Sequence, residues 1–147
     1  MTKKLAEINI GLLKAPIDHP SIAEFADNLN RINRIAESSP GFIWRLKDES
    51  NNATSFNPYN NELIIINISV WQSAEHLKDF VFHSDHTDFL KRKKEWFENM
   101  DPPYMAMWWI ENDQMPDALE GKKRLDHLAA KGPSEYAFDF RTLPKFL

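Results

Sequence analysis

Two histidines three positions apart, His83 and His86, could do chemistry in this 147-residue sequence. Imidazole titrates near neutral pH, so either ring could serve as a general base or acid. Two neutral rings one helical turn apart could also share a metal. A metal would need a further ligand. Asp85 and Asp88 project to other sides of an ideal helix, and His76 lies across an expected helix break. No metal site is therefore assigned. The plainer role for either histidine is to cap a helix or bond a neighbouring carbonyl.

Asn9 and Asn67 are the next candidates. Each stands mid-strand between isoleucines, and Ser69 shares the face of Asn67. Asparagine is a poor strand former, and burying its amide without partners is costly. A pocket holding a polar ligand would justify both, as would a satisfied pair at a subunit interface. In Trp44-Arg45, neighbours on a strand point to opposite faces, so one of the two reaches such a pocket. Arg45 could bind a carboxylate or polarise a carbonyl oxygen, or simply form a salt bridge with Glu7. If Trp44 shares the face of Phe42 and Leu46, Arg45 goes with Ile43. Trp71, Trp96, Trp108 and Trp109 could wall an aromatic cavity or serve as core. Trp108 and Trp109 are consecutive, so at most one of them lines the cavity from their strand.

Other chemistries lack support. Ser69 and Ser84 have no nucleophile-elbow glycines around them, and no carboxylate pair suggests glycoside hydrolysis. The sequence has no cysteine, which removes disulfides, thiolate nucleophiles and thiolate-held metals. No cofactor is called for.

The elements that must position these residues follow from periodicity. Leu5–Leu12 alternates: Ala6, Ile8, Ile10 and Leu12 point one way, and Leu5, Glu7, Asn9 and Gly11 the other. Ser21 is a candidate cap for a helix with an apolar stripe from Ile22 to Ala36, stopped by Ser38-Ser39-Pro40-Gly41. Phe42–Lys47 is a short strand. Asp48–Asn61 is a polar loop, and Leu63–Trp71 is the strongest strand in the chain. Ser73 opens a second helix, interrupted near Ser84 and continued from Asp85 to Phe97. Asp101-Pro102-Pro103 is a stop. Tyr104–Ile110 is a fourth strand. A third helix starts near Pro116 and ends at Gly132-Pro133, and Tyr136–Phe140 alternates as a short edge strand.

The order β-α-β-β-α-β, then helix and strand, predicts an α+β ferredoxin-like sandwich forming one domain over residues 1–147. The Ala6/Ile8 and Ile64/Ile66/Ile68/Val70 faces are expected to meet the two main helices. The face with Glu7, Asn9, Asn67 and Ser69 is too apolar for water and too polar for a dry core. A second copy or the trailing helix should cover it around a pocket, which suggests a homodimer. The formal charge of -4 is spread over both halves and argues against nucleic acid as a partner. No stretch reads as a signal peptide or a membrane span, so no membrane partner is expected and the cytoplasm is the default.

Several segments carry a family likeness. They are Leu5–Ile10, Pro40–Leu46, the run ending Asn67-Ile68-Ser69-Val70-Trp71, Phe82-His83-Ser84-Asp85-His86, Arg92–Phe97, Tyr104–Trp109, and the late helix with Phe138–Arg141. Together they resemble the bacterial domain-of-unknown-function family numbered 3291. That family is placed in the dimeric α+β barrel group, with antibiotic-biosynthesis monooxygenases. The resemblance implies that fold and a homodimer but transfers no reaction. In the wider group, cofactor-independent oxygenation uses an electron-rich substrate in an apolar cavity beside Asn, Trp or His groups. Haem chemistry there would want an axial histidine.

Three functions compete. One is a monooxygenase-like enzyme acting on a small aromatic or polyketide-like molecule, with His86 or His83 as base and Asn9, Asn67 and Arg45 orienting an oxyanion or dioxygen. In it Trp44, Trp71, Trp96, Trp108, Trp109 and Ser69 would line the substrate. The others are a non-catalytic small-molecule binder or sensor, and a structural homodimeric domain.

Overall fold

Strand β1, Lys4–Leu13, is the axis of the sheet. The computed structural model describes residues 3–47, 58–59, 61–83, 92–111 and 113–147. β1 pairs antiparallel on one side with β3 (Ile64–Trp71), which pairs in turn with β2 (Phe42–Arg45). On the other side it takes two short strands in succession, β4 (Phe97–Glu98) against Leu12 and Leu13, and β5 (Met105–Ile110) against Lys4 to Asn9. This is the ferredoxin-like strand order with the last strand divided in two. Within the chain the sheet stays open, with β2 at one edge, and does not close into a barrel.

Helix α1 spans Ala23–Ser38 and α2 spans Ala74–His83. A short 3-10 turn, Pro20–Ile22, precedes α1, and His19 rather than Ser21 supplies its cap. Ser73 caps α2 by accepting from the His76 amide at 3.2 Å. Helix α3, Ala118–Lys131, starts at Asp117, whose carboxylate accepts from the Glu120 amide. It ends at Gly132, which adopts φ +80°. The helix expected over Asp85–Phe97 is not continued in its described part. Lys93–Glu95 is a 3-10 turn, and Phe97 already belongs to β4.

The two sheet faces are covered in the reverse of the expected way. Ala6, Ile8, Ile10, Ile66, Ile68, Val70 and Trp108 pack with Ala118, Leu125 and Leu128 of the trailing helix α3. Gly121 makes this close approach feasible, since a Cβ there would come 2.7 Å from Ile8 Cδ1. The face bearing Leu5, Glu7 and Asn9 lies beneath α1 and α2. Leu5, Trp71 and Met107 join Ala36, Leu77 and Phe80 at one end, and Leu13 joins Phe25, Trp96 and Phe97 at the other. The apolar ends of that face let the helices pack, and its polar middle is left beside a cavity. The tail crosses the same layer, where Phe138 exchanges two backbone hydrogen bonds with Met107 as an isolated bridge.

Candidate active site

The cavity between the sheet and the two helices has a volume of about 440 Å³. Its floor is a polar grid that strand register lays out. Arg45 on β2 faces Ser69 on β3, which faces Glu7 on β1, and in the next row Asn67 faces Asn9. All five side chains line the cavity. Its walls are largely apolar, with Phe25, Leu29 and Ile32 from α1, Leu77, Phe80 and Phe82 from α2, and Phe97, Tyr104 and Phe140, while Asn33 of α1 and Lys93 add polar groups.

Glu7 is the centre of this grid, only 5% exposed. Asn9 Nδ2 donates to its Oε1 at 2.8 Å, and the Ser69 hydroxyl donates to its Oε2 at 3.4 Å. Behind Ser69, the indole N–H of Trp71 donates to Ser69 Oγ at 2.9 Å. An indole N–H can only donate, so Ser69 accepts from it and is left to direct its own hydrogen at the carboxylate. Burial pushes the Glu7 carboxyl up to about 7, and the bonds from Asn9 and Ser69 oppose that rise. The result is a carboxyl group that exchanges its proton near neutrality inside an apolar cavity.

The sequence offers Glu7 as a member of the mixed face and as a salt-bridge partner for Arg45. The structure pairs Arg45 instead with Glu37 of α1, Nε lying 3.4 Å from Oε1, while its guanidinium stays on the cavity side. The signal for Glu7 was present: a carboxylate mid-strand between Ala6 and Ile8, on the face of Asn9. Asn67 is exposed to the cavity, and among the described residues its amide has no hydrogen-bond partner.

The tryptophans stand elsewhere, a correction to the expected aromatic walls. A register slip between Phe42 and Trp44 places two residues of β2 against one step of β3. Phe42 therefore packs on the cavity side of the sheet, whereas Ile43 and Trp44 pack on the α3 side. Trp108 lies beneath α3, with the Arg124 guanidinium 5.2 Å from its ring. Trp109 donates to the Phe146 carbonyl at 2.8 Å, and Trp96 packs against Phe25. None of the five lines the cavity, and Trp71 reaches it only through Ser69. The aromatic walls are phenylalanines and Tyr104, residues that periodicity alone marks as core.

His86 lies outside the described residues, as does the side chain of His83, which ends α2. Among the described residues no group of three or more His, Asp or Glu side chains is placed to hold a metal ion. No described helix is long and apolar enough to cross a membrane.

A search of curated proteins gives no match. Among solved structures, the chain is similar to NE2512, a protein of unknown function from Nitrosomonas europaea. That likeness has 13% identity and a TM-score of 0.54, covering 80% of this chain and 98% of that one. It is also similar to SnoaB, a cofactor-independent oxygenase from Streptomyces nogalater, at 12% identity and a TM-score of 0.49, over 77% of this chain and 96% of that one. The first likeness shows a shared α+β sandwich fold. Residues 4–146 match the domain of unknown function DUF3291, and the chain belongs to that family.

Proposed function

We propose that this protein is a monooxygenase-like enzyme in which Glu7 takes a proton from an acidic C–H or O–H of a small aromatic or polyketide-like molecule. One observation carries the reading: a buried carboxyl at the polar end of an apolar cavity, bonded on both oxygens by neutral donors and titrating near 7. A base of that strength balances its ionised fraction at neutral pH against its driving force for proton transfer. The proton passes to Glu7, and the electron pair stays on the substrate as an enolate or phenolate. The Asn67 amide and the Arg45 guanidinium, both facing the cavity, supply donors to that oxyanion. Glu7 here takes the role of base that the sequence offers to His86 or His83, whose side chains lie outside the described residues.

In the cofactor-independent oxygenation that the family resemblance suggests, dioxygen is the co-substrate and oxidant. The substrate anion gives up electrons, one oxygen atom is kept as a carbonyl, and the other leaves as water. A CH2 group and O2 thus become C=O and H2O. The same reading takes the protein as a homodimer. The expected contact through the sheet face of Asn9 and Asn67 is not open to a second copy, because α1 and α2 cover that face, and on the α3 side Ile43, Trp44 and Ile64 are half-buried.

The test is solvent deuterium exchange into a panel of anthrones and hydroxynaphthalenes, followed by NMR, with wild type and Glu7→Gln. The expected outcome is catalysed exchange that Glu7→Gln lowers by ~10²–10⁴. Mass analysis of products formed under 18O2 then separates oxygenation from proton transfer alone. Binding without exchange in the wild type would overturn the enzyme reading and leave a small-molecule binder.

A further inference from the structure

A second chamber of about 260 Å³ adjoins the main cavity, and the two share Ile10, Gly11, Lys93, Phe97 and Tyr104 in their walls. The Phe97 ring lies against Gly11 at this junction. A Cβ on residue 11 would come 2.4 Å from Phe97 Cε1, so the ring can rest there only because residue 11 is glycine. Glu7 and Gly11 are four residues apart on the same strand face, a separation of ~13 Å at ~3.3 Å per residue.

Charge differs between these two ends. Among the described residues Glu7 is the one carboxylate lining the inner cavity. At the Gly11 end stands Lys93, half-buried and lining both chambers, its ammonium 4.6 Å from the centre of the Tyr104 ring. Lys94 lines the outer chamber, and among the described residues Glu98 is the acidic group there. The neighbouring cation is already engaged: Arg92 bonds Glu24 of α1 and Glu95, and stacks over Trp96. Those bonds tie the turn carrying Lys93 to α1. Among the described residues Lys93 has the Tyr104 ring as its partner and no carboxylate.

We propose that Lys93 anchors an anionic group of the ligand, which makes the ligand class an apolar aromatic carboxylic acid lying along the main cavity. Its carboxylate lies at the Lys93 end and its apolar rings between α1, α2 and the sheet. The orientation, with the reacting C–H or O–H at the far end, rests on the reading of Glu7 as proton acceptor. The anchor itself does not. A carboxylate bonded to an ammonium in a partly desolvated site gains a charge-assisted hydrogen bond that a neutral isostere lacks.

The test is calorimetric binding of anthracene-2-carboxylate and anthracene-2-carboxamide at pH 7.5 to the full chain, using wild type, Lys93→Met and Arg45→Met, each checked for folding by circular dichroism. Wild type is expected to prefer the acid by about tenfold. Lys93→Met should abolish that preference while amide binding persists, and Arg45→Met should retain it. Equal affinity for acid and amide, binding of neither, or a preference lost in Arg45→Met but kept in Lys93→Met would each overturn the proposal. Binding needs no turnover, so the outcome is independent of whether Glu7→Gln abolishes proton exchange.

Discussion

The amide of Asn9 lies 2.8 Å from the carboxylate of Glu7, two residues earlier on the same strand and the same face. Strand alternation alone makes these two side chains neighbours. Only the helices laid over them make the pair consequential, because desolvation and not the bond sets the titration of Glu7 near neutrality.

That balance gives wild type a pH-dependent stability. The Glu7 carboxyl titrates at about 7 when folded, against 4.5 ordinarily, so the folded state holds the proton more tightly. Its favourable contribution is complete below pH 4.5 and is lost as pH rises through 7, a change of roughly 3 kcal/mol. Glu7→Gln removes this dependence. Urea denaturation at pH 5 and pH 8 should show Glu7→Gln gaining on wild type at the higher pH. Parallel profiles would contradict a buried, raised carboxyl.

The donors to Glu7 favour its ionised form, so removing them should raise its titration further. Asn9→Ala is expected to have the larger effect and Ser69→Ala the smaller. Carbon-13 NMR of labelled glutamate carboxyls reads the midpoint directly. A midpoint that falls in either variant would mean that the bond is not made to the carboxylate.

Trp71 is fully buried, stacks on Phe80 with ring centres 5.1 Å apart, and holds the Ser69 hydroxyl. Trp71→Phe keeps much of the packing and loses the donor, at an expected cost of ~1–3 kcal/mol. A double-mutant cycle with Ser69→Ala should show coupling of ~1 kcal/mol in denaturation experiments. Additive single effects would show that the bond contributes nothing to stability.

Gly41 links α1 to β2 at φ +82°, and a Cβ there would lie 2.1 Å from His76 Cγ. Gly41→Ala combines left-handed strain with a clash against the ring next to the Ser73 cap, for an expected loss of ~2–5 kcal/mol. A melting temperature within a degree of wild type would show that the ring moves aside freely. Its neighbour in chain order, Phe42, should shift with it, since it packs edge-on to Trp71 at 5.5 Å.

Much of the architecture was legible in the sequence because it depends on local periodicity. The period of two in Leu5–Leu12 and in Leu63–Trp71 sorts side chains onto two faces, and it put Glu7, Asn9, Asn67 and Ser69 together. Helix α3 was bounded by the chemistry of its ends, from Pro116 to Gly132. The direction of Phe42 was not legible, because one extra residue in β2 re-aims what precedes Trp44, and no composition signal marks the slip.

What the sequence determined alone is therefore which residues share a face and that one face mixes isoleucine with asparagine. What only the tertiary structure decided is which layer covers that face. Small residues of α3, Ala118 and Gly121, fit against the isoleucines, and α1 and α2 close over the polar side instead of a second copy. Alternation carries no information about the covering layer, because a face is buried by elements distant in sequence. The environment of Glu7 follows from the same fact: it is desolvated beneath α1 and α2, elements far along the chain, and no local pattern could show it.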